Sequence, residues 1–382
     1  MKYLAVLGRQ PEISITELVL SGSCRTFSSP TVLSGGALLG PLLAHVEFES
    51  DISIDINRFG GILKLAVKLE EKPLEYLQRL PEGKITLGVS DYSKKASRKS
   101  ASIEALKLKK ILVRHGRSVR VVENKDAVLS TATSLHNGLS GKNERKVELI
   151  KVDDDWYRVI GVQDIDAYAK RDQARPARDA KVGMLPPKLA QILINLCGPL
   201  EPGSTILDPF CGTGVVLQEA LLMGYRVYGT DLSERMIDYS KENLAWLFRK
   251  FEMAQFDNIK LAQGDAMRFK WDQPVTAVAC EGYLGRPFSQ IPTEMALKEQ
   301  KQECGATILE FLKNLAGQIK TGTPVVIAAP AWLRESGEYE RLDILDEIES
   351  MGYNVYNKSR EGLLYHRPEQ IVARDIIILR KK

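Results

Sequence analysis

The sequence predicts an α/β chain. Its C-terminal half should form a seven-stranded, mostly parallel sheet domain, and two small α+β domains should precede it. Three observations predict this. From Pro187 onward, strand-like and helix-like stretches alternate as successive βα units and close on two strands joined without a helix. A glycine-bearing turn, Leu207-Asp208-Pro209-Phe210-Cys211-Gly212-Thr213-Gly214, leads from strand to helix, as where α/β folds grip nucleotide-like ligands. Before about residue 165, short strands mix with few helices, and one stretch carries one-sided positive charge.

The 382 residues allow two or three domains, each with its own core. A hydrophobic fraction of 44% and a charged fraction of 27% are ordinary for a globular protein, and a net charge of +4 names no partner. The most apolar stretch, Val32 to Val46, is short and broken by Gly35, Gly36, Gly40 and Pro41, which argues against a membrane span. Met1 to Leu7 meets Arg9, Pro11 and Glu12 too soon for a signal peptide. The five cysteines (Cys24, Cys197, Cys211, Cys280, Cys304) lack C-x-x-C pairing, and His45, His115, His136 and His366 are scattered. Reduced thiols, a cytoplasmic location and no metal site are the expectation.

Residues 1–70 read as a first α+β segment: a strand from Tyr3 to Gly8, a helix from Ser14 to Leu20, and a strand from Ile62 to Leu69 after the Gly60-Gly61 turn. Residues 71–165 read as a second. Ile85 to Val89 and Val119 to Val122 are strands, and Ala101 to Arg114 and Thr131 to Leu139 are helices. Val147 to Val152 and Trp156 to Val162 form a hairpin around Asp153-Asp154-Asp155. Residues 166–187 hold Tyr168, Arg171, Asp172, Arg175, Pro176, Arg178 and Asp179 with little apolar periodicity, and read as an extended linker.

In residues 188–382, Leu189, Ile192, Leu193 and Leu196 recur at helical spacing, with Pro186-Pro187 before them and Gly198 after. Strands are expected at Thr205–Asp208, Arg226–Asp231, Ile259–Ala262, Val275–Glu281 and Pro324–Ala329, with helices including Glu234 to Phe251 and Glu294 to Lys320. Asn354–Lys358 and Asp375–Leu379 should pair antiparallel.

Carboxylates recur at the strand ends. Asp208 begins the glycine turn with Phe210, Gly212 and Gly214 following. Asp231, then Leu232, ends the next strand, and Asp265 with Ala266 follows the third. In a parallel sheet these ends share one edge. An acid about 20 residues past such a turn can accept both ribose hydroxyls of an adenosine. Any one Asp serves equally well as a helix N-cap; the ordered set with the glycine turn points to a cofactor. A dinucleotide is disfavoured, because the third glycine is missing and Asp208 would repel a pyrophosphate.

The Asp-Pro-Phe-Cys-Gly-Thr-Gly run resembles the first motif of S-adenosylmethionine (SAM) methyltransferases that act on exocyclic amino groups. The resemblance implies a Rossmann-like, seven-stranded methyltransferase fold and SAM as cofactor. Met184-Leu185-Pro186-Pro187-Lys188-Leu189-Ala190 resembles the segment before that turn in RNA guanine methyltransferases, which places Pro187 beside the cofactor. After the fourth strand such enzymes carry Asp/Asn-Pro-Pro-aromatic; this chain has Glu281-Gly282-Tyr283-Leu284-Gly285-Arg286-Pro287-Phe288. An exocyclic amine is a poor nucleophile until a carboxylate or amide oxygen and a backbone carbonyl accept its N–H bonds. Glu281 and the Gly282 carbonyl are the expected acceptors and Tyr283 the stacking ring, with Phe288 a second candidate. Glu281 is one methylene longer than Asp, and the paired prolines are absent.

Residues 84–125 hold twelve Lys and Arg against Asp91, Glu104 and Glu123, a local charge of +9. Lys107, Lys110 and Arg114 share one helix face, opposite Ala105, Leu108 and Leu112. Lys94, Lys95, Arg98 and Lys99 lie in the preceding loop and Arg117 follows the helix. A second basic loop runs from Lys142 to Lys146. A charge run is often only a solvated face; its single sign suits phosphate contacts. Ile85 to Ser90, the lysine-rich helix and Val128-Leu129-Ser130-Thr131-Ala132 resemble a THUMP domain. Leu7 to Ser14 and Gly60 to Lys64 resemble the ferredoxin-like domain that precedes it, and Tyr168 to Asp172 with Arg175-Pro176 the linker of the tRNA guanosine-10 N2-methyltransferase family.

That resemblance implies four parts: ferredoxin-like 1–70, RNA-binding THUMP 71–165, linker 166–187 and methyltransferase 188–382. It implies tRNA as partner and the 2-amino group of a guanine as target. A DNA amino-methyltransferase and a noncatalytic RNA-binding protein that retains SAM affinity are the competing readings.

Overall fold

The structure is a computed structural model, which describes residues 2–22, 24–27, 43–48, 55–179, 184–253, 259–368 and 370–382. The chain divides into two units, Met1–Ile15 with Ser23–Ala167, and Thr16–Gly22 with Tyr168–Lys382. The glycine-broken apolar stretch 32–42 lies outside the described residues.

The strands of the first unit are β1 (Lys2–Leu7), β2 (Cys24–Phe27), β3 (Leu43–Phe48), β4 (Ile62–Lys68), β5 (Ile85–Asp91), β6 (Val119–Val121), β7 (Lys146–Val152) and β8 (Asp155–Val162). They form one sheet in the order β2-β3-β1-β4-β8-β7-β5-β6. The segments expected on either side of residue 70 therefore share a sheet, joined by antiparallel pairing of β4 with β8. That pairing hides the hydrogen-bonding edge each would otherwise expose. The expected hairpin is β7–β8, closing on Val152 and Asp155 with Asp153 at φ 51°.

The helices here are the first half of α1 (Pro11–Leu20), whose residues from Thr16 belong to the second unit, with α2 (Pro73–Gln78), α3 (Arg98–Arg114) and α4 (Thr131–His136). Helix α3 starts three residues before the expected Ala101, because Ser97 and Ser100 form a capping box that satisfies the first N–H groups. It buries Ala101, Ala105, Leu108 and Leu112, the last three against Ile85, Leu87 and Val89 of β5. Helix α4 stops at His136, short of the expected Leu139.

A polar group crosses this core. Lys64 Nζ on β4 donates to Glu148 Oε1 on β7 at 2.6 Å and to the Leu129 carbonyl at 2.7 Å. Ser90 Oγ on β5 donates to the same carboxylate at 2.6 Å.

Helix α5 (Ile165–Gln173) begins in the first unit, continues into the second from Tyr168, and occupies the start of the expected linker. Its helical form follows from burial of Tyr168 and Arg171 on one side, a pattern too short to read as periodicity. In the second unit the strands are β9 (Thr205–Asp208), β10 (Arg226–Asp231), β11 (Ile259–Gln263), β12 (Ala277–Glu281), β13 (Pro324–Leu333), β14 (Tyr339–Arg341), β15 (Tyr353–Val355), β16 (Leu364–Tyr365) and β17 (Val372–Lys381). The helices are α6 (Pro187–Leu196), α7 (Val215–Leu222), α8 (Glu234–Lys250), α9 (Glu294–Ala316) and α10 (Leu345–Ser350).

Seven strands run β11-β10-β9-β12-β13-β17-β15, the expected seven-stranded sheet. Two additions lie beyond that expectation: β14 pairs with β13 and β16 with β17. Strands β13 and β17 pair over nine residues and overrun the sheet edge, where short partners cover them. The β15–β17 pair is antiparallel, as expected.

Alternate strand residues face opposite layers. Leu207, Val278, Cys280, Val325, Ile327 and Ile377 join Ile308, Phe311 and Leu312 of α9 in one core cluster. Their strand neighbours Asp208, Glu281 and Arg374 therefore share the opposite face. Strand β9 is parallel to β10 on one side and to β12 on the other. The chain reverses its direction of travel there, which opens a crevice at the strand ends.

Lys64→Met leaves Glu148 buried without its cation. The expected cost is about 3–5 kcal/mol, read from the urea midpoint, whereas Lys64→Met with Glu148→Leu recovers most of it.

Candidate active site

The glycine turn is built from backbone. Gly212 has φ 50° and Gly214 φ 81°, left-handed values that side chains resist. A Cβ on Gly214 would meet Ser240 Oγ at 2.8 Å, whereas at Gly212 the nearest atom is 4.0 Å away. The turn is packed below Gly214 and open above Gly212. Asp231 Oδ2 accepts the Gly212 N–H at 2.9 Å, and its Oδ1 accepts the Ser233 N–H at the start of α8 at 2.9 Å. One carboxylate thus joins the turn to the end of β10.

Residues read as linker hold this turn from behind. Arg171 donates to both oxygens of Glu219 on α7, at 2.6 and 3.1 Å, and the pair is buried. The buried Arg175 lies 3.4 Å from Thr213 Oγ1. Asn243 on α8 donates to the carbonyls of Ala177 and Thr213 and accepts the Ala177 N–H. Neither Asn243 nor Glu219 stood out in the sequence, since a single polar residue on a helix carries no local signal. Arg171 and Arg175 belong to the stretch that resembles a family linker, and that resemblance did not indicate their partners Glu219 and Thr213.

Asp208, Asp231 and Asp265 lie at successive strand ends of the same sheet edge. Asp208 is 2% exposed and accepts the Phe210 N–H at 3.1 Å. Burial holds its carboxyl well above the usual carboxylate range; the Phe210 N–H opposes this, and the like charges of Asp231 and Glu281 add to it. Asp265 accepts the Met267 N–H at 3.0 Å, and the adjoining Gly264 donates to the Asp231 carbonyl at 2.9 Å. Leu232, beside Asp231, is 71% exposed, while Ala266 and Pro187 are buried. The rings of Phe210 and Phe311 meet edge to face, at 5.2 Å between centroids, and Phe210 packs against the core cluster.

Glu281 ends β12 beside Asp208. Its Oε1 accepts from Arg374 Nε of β17 at 2.8 Å, with the two side chains 15% and 6% exposed. Burial raises the Glu281 carboxyl and Arg374 draws it back down. Arg374 was not singled out in the sequence, because it is distant along the chain and its strand carries no motif. The Gly282 N–H donates to the Ala328 carbonyl at 3.0 Å. Tyr283 is exposed, with its hydroxyl 3.1 Å from Glu303 Oε1. Phe288 packs against the core cluster.

In the first unit, Lys94, Lys95, Arg98, Lys99, Lys107, Lys110 and Arg114 are exposed. Arg98 pairs with Glu123 at 3.0 Å and Lys107 lies 3.6 Å from Glu104. Arg117 is placed otherwise: its guanidinium donates to the carbonyls of Leu80 and Pro81 at 2.9 and 2.7 Å and closes the end of the α2 loop.

Among the described residues no helix is long and apolar enough to cross a membrane, and no group of three or more His, Cys, Asp or Glu is placed to hold a metal ion. Cys197, Cys211, Cys280 and Cys304 are buried and free.

Residues 175–297 match the UPF0020 family, described as "RMKL-like, methyltransferase domain". Over 164 residues the chain is 34% identical to the tRNA (guanine(10)-N2)-dimethyltransferase of Methanothermobacter thermautotrophicus, covering 42% of this chain and 44% of that protein. Over 202 residues it is 29% identical to the protein of the same name from Pyrococcus abyssi, covering 51% of this chain and 49% of the other. The chain thus spans about half the length of these relatives. The crystal structure of TrmN from Thermus thermophilus aligns over 100% of both chains at 16% identity, with a TM-score of 0.46.

Because Asp208 holds its proton more tightly folded than unfolded, its stabilising effect is present at low pH and lost as pH rises through and beyond the ordinary carboxylate range. Asp208→Asn is therefore expected to raise the melting temperature of the cofactor-free protein at pH 8, with the gain shrinking toward pH 4. Calorimetry across that range checks it.

Proposed function

We propose that this chain, whose residues 175–297 match a methyltransferase domain, methylates the exocyclic 2-amino group of a guanosine in tRNA, in the cytoplasm, with SAM as methyl donor. The observation that carries the reading is the row of acids Asp208, Asp231 and Asp265 along one sheet edge, ending beside Glu281 at the crevice.

The residues fit SAM. The charges acting on Asp208, those of Asp231 and Glu281, are of its own sign, so a cationic amino group is the partner its buried carboxylate lacks. Asp231 spends one lone pair per oxygen on backbone N–H groups, and a carboxylate has about four such positions, which leaves room for ribose hydroxyls. Exposed Leu232 offers an apolar surface for adenine, with Asp265 for its amino group, and Ala266 and Pro187 form further walls. The open space over Gly212 suits the close approach of a ligand. When bound, SAM supplies a methyl group made electrophilic by its sulfonium.

The chain's own residues prepare the acceptor. Glu281 and the Gly282 carbonyl accept the two amine N–H bonds and turn the nitrogen lone pair toward the methyl group. The exposed Tyr283 ring stacks on the base, a contact worth about 1–3 kcal/mol. Residues 71–165 act as the RNA-binding THUMP domain, with Lys94, Lys95, Arg98, Lys99, Lys107, Lys110 and Arg114 on phosphates. The target base leaves its stack to reach the crevice. A second reading, RNA and SAM binding without transfer, rests on the departure of Glu281-Gly282-Tyr283-Leu284 from the Asp/Asn-Pro-Pro-aromatic pattern.

Purified protein with labelled SAM is expected to label bulk tRNA and not DNA; SAM binding without label transfer would favour the second reading. Glu281→Ala should lower turnover by about 100-fold or more with SAM affinity unchanged, and wild-type turnover would end the role given to Glu281. Replacing Lys107, Lys110 and Arg114 together with Ala should weaken tRNA binding and flatten its salt dependence by roughly 0.7–0.9 for each phosphate left without its cation.

A further inference from the structure

The Glu281–Arg374 pair spans a strand. Glu281 of β12 is in register with Ala328 of β13, and Arg374 of β17 with Pro330 of β13. In-register side chains share a sheet face, so Ala328 and Pro330 lie between the two charges. Both are short. Their size lets Arg374 reach across β13 to Glu281, where a longer side chain would fill the span. Pro330 is tolerated because the pairing of β12 with β13 ends at Ala328, so no donor is owed on that side.

Building on the reading of Glu281 as amine acceptor, we infer that Arg374 is a positioning residue for the transfer: its Nε holds one carboxylate oxygen of Glu281 and leaves the other for the acceptor amine. Glu281 is a methylene longer than the Asp or Asn expected there and has an extra rotor to fix. A charge-assisted bond to a nearly buried guanidinium fixes it. The pair also sets the charge of the acceptor. Among the described residues the charged group acting on Glu281 is Arg374 from β17; Asp208 of β9 and the buried Cys280 beside it on β12 lie near enough to feel its charge. Arg374 favours the ionised form and burial opposes it. Only the ionised carboxylate accepts from the amine with either oxygen, so turnover rises with pH as Glu281 deprotonates. Loss of Arg374 moves that rise to higher pH.

Steady-state methyl transfer to tRNA by the full chain across pH tests this. Arg374→Met is expected to lower kcat at pH 6 by about tenfold or more, to move the acid limb upward, and to leave KM for tRNA and SAM affinity within about twofold. Arg374→Lys, which keeps the charge, should return the limb toward wild type. Arg374→Met in a Glu281→Gln background leaves no buried unpaired charge; there its effect should largely vanish, since the two residues act as one. If Arg374→Met keeps the wild-type kcat and pH profile while Glu281→Ala is inactive, the role of Arg374 is overturned and the reading of Glu281 stands. If Arg374→Met costs as much in the Glu281→Gln background as alone, Arg374 acts elsewhere and the inference fails. If Glu281→Ala retains full turnover, the reading beneath the inference fails with it.

Discussion

Strand β9 bonds in parallel to β10 on one side and to β12 on the other, and the arrangement of the site follows from that. Parallel neighbours are reached only by crossovers; those from β9 lay β10 and β11 on one side, and the next lays β12 and β13 on the other. The crevice forms where those two directions part. Asp208 ends β9 and Glu281 ends β12, so they become neighbours although far apart in the chain. Two carboxylates on one face of adjacent strands repel each other, and the surroundings must answer that charge. Arg374 answers it on the side of Glu281. On the side of Asp208, burial and like charge both disfavour the ionised form, which suits a ligand that brings a cation.

The turn that follows β9 depends on contacts from several directions. Positive φ at Gly212 and Gly214 shapes it, Asp231 ties it to β10, and Arg175 and Asn243 brace it from behind. The stretch 168–179 therefore belongs to the architecture of the second unit. The stretch reads as an extended linker in the sequence, yet Arg171 and Arg175 are buried, and a buried guanidinium is stable only with partners. Glu219 and Thr213 are among those partners.

The first unit shows the same distinction between charges that build and charges that wait. Lys64 and Glu148 are sequestered in the sheet core, where each neutralises the other. Arg117 is spent on two carbonyls. The exposed lysines of α3 and its preceding loop lie opposite a buried apolar stripe and are left to solvent or to an anionic partner. Net charge alone would not separate these classes; burial does.

Much of this was legible in the chain. The βα alternation, the glycine turn and the acids at the strand ends are local patterns, set by the periods of helix and strand and by the φ values that glycine alone tolerates. The amphipathic division of α3 was legible for the same reason. Other features escaped. The start of α5, the short strands β14 and β16, the shared eight-stranded sheet and the spent Arg117 depend on which surfaces meet, and no local period records that. The order of elements and the residue types at the strand ends follow from the chain alone. That Arg374 crosses β13 to hold Glu281 is settled by the folded sheet, because the contact exists through strand register and the small side chains of Ala328 and Pro330.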